Sequence, residues 1–160
     1  MEWLALLLKL AHVFAAFALV TGFLGRGVLL GRAARSPDVE QQHLLADAAS
    51  PFEASIRVSS AAVIALGLVT AWAQGYEWLG LTTPWMLLSV ALIVPMLVLV
   101  PAVFIPRGRV FESEMAAARQ AGEVTDGLRR AWADPAVAFA RRYELVGTGL
   151  VVALMVLKPF

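Results

Sequence analysis

Trp3-Leu-Ala-Leu-Leu-Leu-Lys9-Leu-Ala-His12-Val-Phe-Ala-Ala-Phe-Ala-Leu-Val20 is an apolar run broken by two ionisable residues. The apolar character continues to about residue 25, so the segment 3–25 has the roughly 20 residues a helix needs to cross hydrocarbon. Three further stretches of this kind lie at 52–73, 84–105 and 137–158. Each is introduced by a small polar residue and a proline: Ser50-Pro51, Thr83-Pro84 and Asp134-Pro135. That pairing is an N-cap followed by the helical position where a missing amide hydrogen does no harm. Only a helix or a closed barrel satisfies its backbone in lipid, and the runs lack strict alternation, so the pattern predicts four membrane helices.

Composition agrees. Of 160 residues, 60% are hydrophobic and 16% charged, far more apolar than a soluble domain of this length. The fold expected is all-α: an integral membrane four-helix bundle, a single domain over 1–160 with no internal repeat. With no cysteine, thiolate metal sites, iron–sulfur clusters and disulfides are excluded. A net charge of +1 does not suggest nucleic acid, and the partner implied is the lipid bilayer.

Loop charges set an orientation. The first loop (26–51) carries Arg26, Arg32 and Arg35, and the third (106–136) carries Arg107, Arg109, Arg119, Arg129 and Arg130. The second (74–83) has no Lys or Arg. The positive-inside rule then places loops one and three in the cytoplasm and both termini outside. Trp3, Trp72, Trp78 and Trp85 are expected as an aromatic belt at the outer interface. Glu2 replaces a basic n-region and the apolar run exceeds a signal peptide's length, so the first helix is expected to be retained. Ser36-Pro37 opens a short helix at 37–49, and 109–121 sets Phe111, Met115 and Ala118 against Arg109, Glu112, Arg119 and Gln120. Such cytoplasmic amphipathic helices either lie in the headgroup plane or rest as connectors on the bundle ends.

Polar residues within the spans fall into two groups. Lys9, His12 and Lys158 lie toward the outer side; Arg26, Glu53, Arg57, Arg141, Arg142 and Glu144 lie toward the cytoplasm. At 100° per residue Lys9, His12, Ala16, Leu19 and Arg26 share one face of the first helix, with Gly22 at its edge. His12, roughly 14 Å from the outer end, either donates a hydrogen bond to a neighbouring helix or serves as a metal ligand. His43 is too distant to be its partner. Met96, Met86 and Met155 are the thioether candidates, Met96 best matched in depth, although methionines in apolar helices usually only pack. Lys9 either snorkels outward or meets an anionic group of a bound ligand. Ser50-x-x-Glu53 fits a capping box, and Glu53–Arg57 and Arg141–Glu144 are local ion pairs by spacing. Alternatively these charges form a proton-handling or anion site. Pro95 and Pro101 interrupt the third span.

The combination of Lys9-x-x-His12 with Gly22 and Arg26, Trp85 opening the third span, and Leu-Met-Val-Leu-Lys158-Pro159 closing the fourth resembles a bacterial family of predicted integral membrane proteins, the domain of unknown function 2269. It is more distantly similar to the HemJ protoporphyrinogen oxidases and to the membrane domain of copper-resistance protein D. HemJ-type proteins share Lys9, His12, Gly22, Arg26, Lys158, Pro159 and Phe160, and their first-span histidine is associated with haem. Their Asn-Glu-x-Pro stretch is replaced by Arg142-Tyr143-Glu144-Leu145. The resemblance implies a multi-pass protein of the bacterial inner membrane and makes haem b the candidate cofactor. His12 would be its metal ligand, Met96 a second ligand, and Lys9 or Arg26 would meet a propionate. A five-coordinate haem, or one shared across a homo-oligomer, needs no Met96. Two other classes stand beside it. One is a copper-handling protein using His12 and the methionines. The other is an accessory subunit of a larger membrane complex, without chemistry, associating through Gly27-x-x-x-Gly31 or Gly147 and Gly149. No reaction is spelled out by the residues.

Overall fold

Pro51, Pro84 and Pro135 each stand in the first turn of a long helix. The computed structural model describes residues 2–159; Met1 and Phe160, the last residue of the Lys-Pro-Phe ending, lie outside the described residues. Every regular element described is helical: α1 (Glu2–Ala33), α2 (Val39–Ala48), α3 (Ser50–Ala73), α4 (Pro84–Leu99), α5 (Ile105–Ala121), α6 (Asp126–Trp132) and α7 (Pro135–Leu157). Three continuous helical stretches, Glu2–Ala33, Val39–Ala73 and Pro84–Ala121, are long and apolar enough to cross a membrane. The fourth long helix, α7, carries Arg141, Arg142 and Glu144 and is less apolar. Phe14, Phe17, Val58 and Val156 are each at least 65% exposed. An outer surface so apolar has lipid as its natural solvent.

The long helices pack as two antiparallel pairs. Along α1 and α3, Gly22 approaches Phe52 and Ile56 while His12 lies against Gly67 at the far end. Along α4 and α7, Met96 sits over Gly147 and the Tyr143 hydroxyl donates to the Leu92 carbonyl at 3.3 Å. Lys158 ends α7 in the left-handed region, at φ 44°, and its ammonium stands 5.5 Å from the Trp85 ring centroid. Trp85 is therefore not part of an exposed belt. It is only 6% exposed, held between Lys158 and an edge-on Tyr76, whereas Trp3, Trp72 and Trp78 are open. Asp134 caps α7 by accepting from the amides of Ala136 and Val137, and pairs with Arg107 at 2.8 Å.

Two boundaries differ from the expected ones. The Ser50-x-x-Glu53 capping box does not form, because α2 runs into α3 through Ala49 alone. The Ala49 carbonyl accepts from the Glu53 amide, leaving no donor for Ser50 to cap. Nor does the helix that holds the third apolar stretch end near residue 105. A π-helical turn at Val100–Phe104 carries the chain past Pro101, and α5 continues α4 to Ala121. A wider turn absorbs the hydrogen bond and the space that a mid-helix proline removes.

The amphipathic segments of loops one and three pack part of their apolar faces against each other. Val39 of α2, Met115 and Ala118 of α5 and Leu128 of α6 form a buried cluster, flanked by Phe111, Val124 and Trp132. These apolar side chains cover one another, so the helices make a cap on one end of the bundle, with Leu44 and Val110 left exposed on its outside. Gln42, 2% exposed, holds the cap together: its amide donates to the Ser36 carbonyl and its carbonyl accepts from the Trp132 indole, both at 2.7 Å. Replacing Trp132 with phenylalanine preserves its ring contact with Phe111 and removes one buried donor. We expect a loss of about 1 kcal/mol, read as a lower midpoint in chemical unfolding. At the rim, the Arg119 guanidinium 3.0 Å from Glu40 holds that carboxyl below the usual carboxylate range. A lowered folded-state pKa gives stability that is present above the normal carboxylate pKa and lost as pH falls through the lowered one. Both side chains are exposed, so the effect is small.

Candidate functional site

His12 is positioned by a residue that has no side chain. A Cβ on Gly67 would come within 3.1 Å of His12 Cε1 and 3.4 Å of Nδ1, so glycine gives the imidazole its room between α1 and α3. Nδ1 is buried without a hydrogen-bond partner among the described residues. The Val63 backbone, one turn earlier on α3, is in range of the ring but out of hydrogen-bond geometry. One turn the other way, Thr70 Oγ1 is also buried without a partner. A serine or threonine in a lipid-embedded helix ordinarily bonds back to its own backbone, as Ser59 and Ser89 do here. His12 Nδ1 and Thr70 Oγ1 are thus two unmet buried polar atoms at this end of α3, each a cost to the fold.

Lys9, one turn before His12, is exposed and lies on the same side of α1. Met96 is not brought to this site; its side chain rests on Gly147 of α7, in the other helix pair. Arg26 is also elsewhere. It is 14 residues along α1 from His12, about 21 Å by helical rise, and its guanidinium pairs with Glu144 at 2.8 Å. Both side chains are largely buried, 13% and 7% exposed, and the Phe23 and Phe104 rings stand 5.6 Å from the guanidinium carbon. The pair ties α1 to α7 beside the π-helical turn, where the two helix pairs otherwise meet over few residues.

Spacing alone did not find this bond. Of the expected local pairs, neither Glu53–Arg57 nor Arg141–Glu144 comes within ion-pair distance; Glu53 and Arg57 are exposed, and Glu144 is taken by Arg26. The available signal was the position of Arg26 on the His12 face of α1, which pointed it inward. Gly67 and Thr70 carried no signal beyond being small residues in an apolar run. Among the described residues no group of three or more His, Cys, Asp or Glu side chains is gathered to hold a metal ion. The chemistry available at His12 is therefore that of one imidazole, suited to a ligand that brings its own remaining donors. Among the described residues nothing lies within 4 Å of where a Cβ would stand on Gly27 or Gly31, so that face of α1 is uncovered by them.

Residues 6–159 match the family model described as predicted integral membrane protein (DUF2269), and the chain belongs to that family. No curated protein and no solved structure matches it.

Proposed function

We propose that this DUF2269 member is a four-span protein of the bacterial inner membrane that binds haem b through His12. The supporting observation is the buried, unpartnered nitrogen of an imidazole seated on Gly67. Haem carries four nitrogen donors of its own and asks one axial ligand of the protein, which is what a lone histidine offers. His12 would hold the iron, and Lys9, exposed one turn away, would meet a propionate. Met96 and Arg26 are left out of this reading, because one packs on α7 and the other is bonded to Glu144. When bound, the group would supply one-electron redox chemistry. The chain's own contribution is to orient the ring between two helices and to exclude water from it. In this reading α7 is the fourth span, its buried carboxylate neutralised by Arg26, and the arginine-rich cap faces the cytoplasm with both termini outside.

The test is an absorption spectrum of protein purified from haem-replete cells, before and after dithionite. A Soret band is expected in the wild type and in Met96→Leu, and its loss in His12→Ala. A colourless wild type would sink the proposal. A second reading, an accessory subunit without chemistry, draws on the uncovered Gly27 and Gly31. It predicts co-purification with a larger membrane complex and no pigment.

A further inference from the structure

Arg142 borders a cleft that neither reading uses. The cleft lies between α4 and α7, has a volume of about 300 Å³, and is lined by Leu92, Phe139, Tyr143, Val146, Gly147 and Leu150 together with Arg142. Its surface is almost wholly apolar. Gly147 contributes no wall, and the one hydroxyl near it, on Tyr143, is turned to the Leu92 carbonyl. The volume sits at the low end of the roughly 300–1,000 Å³ of small-molecule sites, room for a stretch of hydrocarbon chain.

Arg142 is exposed and, unlike Arg26, Arg107, Arg119 and Arg129, has no carboxylate within ion-pair distance among the described residues; Arg141 beside it and Arg57 of α3 lack one too, but neither lines the cleft. It is 16 residues from Lys158 at the opposite end of α7, about 24 Å by helical rise. With a hydrocarbon core of about 30 Å, an arginine at that depth reaches the headgroups on the capped side by extending its stem. Leu150 lies two turns further in, about 12 Å deeper. The cleft is therefore an open apolar groove along α7, edged by Leu92 of α4, that runs inward from a cation near the interface.

We propose that this cleft holds one acyl chain of an anionic phospholipid, with Arg142 on its phosphate. Charge complementarity selects the occupant: a zwitterionic lipid brings a phosphate together with an ammonium that repels the guanidinium, an anionic lipid brings the phosphate alone, and a free anion leaves the apolar groove unfilled. Basic side chains beside clefts between membrane helices recognise anionic headgroups in this way.

Native mass spectrometry of the full chain, released from a neutral detergent, tests this with phosphatidylglycerol and phosphatidylcholine of identical chains. The wild type is expected to retain one phosphatidylglycerol in preference to phosphatidylcholine. Arg142→Gln is expected to weaken retention about fivefold, the equivalent of one cation at the membrane surface, and Arg142→Lys to recover much of it. Val146→Trp, which fills the groove, is expected to abolish retention, while Arg35→Gln, outside the cleft, leaves it unchanged. Far-ultraviolet circular dichroism and a single elution peak establish that each variant is folded. Equal retention of the two lipids, unchanged retention in Arg142→Gln, or full competition by inorganic phosphate alone would overturn the proposal. So would a dimer that Val146→Trp dissociates, since a second copy would then be the occupant.

Discussion

Glu144→Ala is expected to destabilise the bundle by about 3–5 kcal/mol, the cost of leaving a buried charge without its partner. The carboxylate is 2.8 Å from Arg26 and both side chains are largely buried, so neither charge is solvated when the other is removed. The two aromatic rings near the guanidinium soften the loss without replacing a counter-charge. Replacing both partners, Arg26→Met with Glu144→Leu, is expected to recover most of the stability, because an apolar pair of similar volume needs no compensation. Reversible unfolding in mixed micelles measures all three proteins. A loss under about 1 kcal/mol for Glu144→Ala would mean that water reaches the pair. On the proposed haem-binding reading, the haem band is expected to survive in the double variant, because Arg26 is about 21 Å from His12 along α1.

Gly22→Leu is expected to be the next most damaging change, at about 2–3 kcal/mol. A Cβ at Gly22 would lie 2.7 Å from Ile56 Cγ1 and 3.3 Å from the Phe52 carbonyl oxygen. Ile56 can shift by rotation, but the carbonyl belongs to the backbone of α3, so a larger side chain must push the helices apart. Separation at Gly22 also loosens the contact in which His12 is seated, so under the proposed haem-binding reading haem retention is expected to fall with stability. Gly27, five residues along the same helix, supplies the control. Nothing lies within 4 Å of its Cβ position, so Gly27→Ala is expected to gain about 0.5–1 kcal/mol from the lower entropy of the unfolded chain. Equal costs at the two positions would contradict the α1–α3 register described above.

Much of the architecture was readable from local chemistry. Proline after a small polar residue marked the starts of α3, α4 and α7, since an N-terminal proline is a property of the first turn alone. The face of α1 that carries His12 could be counted from helical periodicity, and it does turn toward α3. What could not be read depended on residues far apart in the chain. Arg26 and Glu144 are 118 positions apart, and near neighbours offered plausible ion pairs that the fold does not use. The Val100–Phe104 turn was hidden for a different reason: Pro101 argues for a break, and only packing on α7 decides that the helix widens and continues. Trp85 reads as an interfacial residue until Lys158 and Tyr76 are placed around it.

The cap has a consequence for how the chain is made. Its core takes Val39 from the segment between the first two long helices, and Met115, Ala118 and Leu128 from the segment between the last two. Gln42 likewise waits for Trp132. The ribosome delivers α2 some 90 residues before its indole partner, so the cap cannot close until α3 and α4 have both been synthesised. Its completion marks the moment at which, of the long helices, only α7 is left to be added. The side chain of that helix which needs a counter-charge, Glu144, then arrives to find Arg26 already waiting in α1.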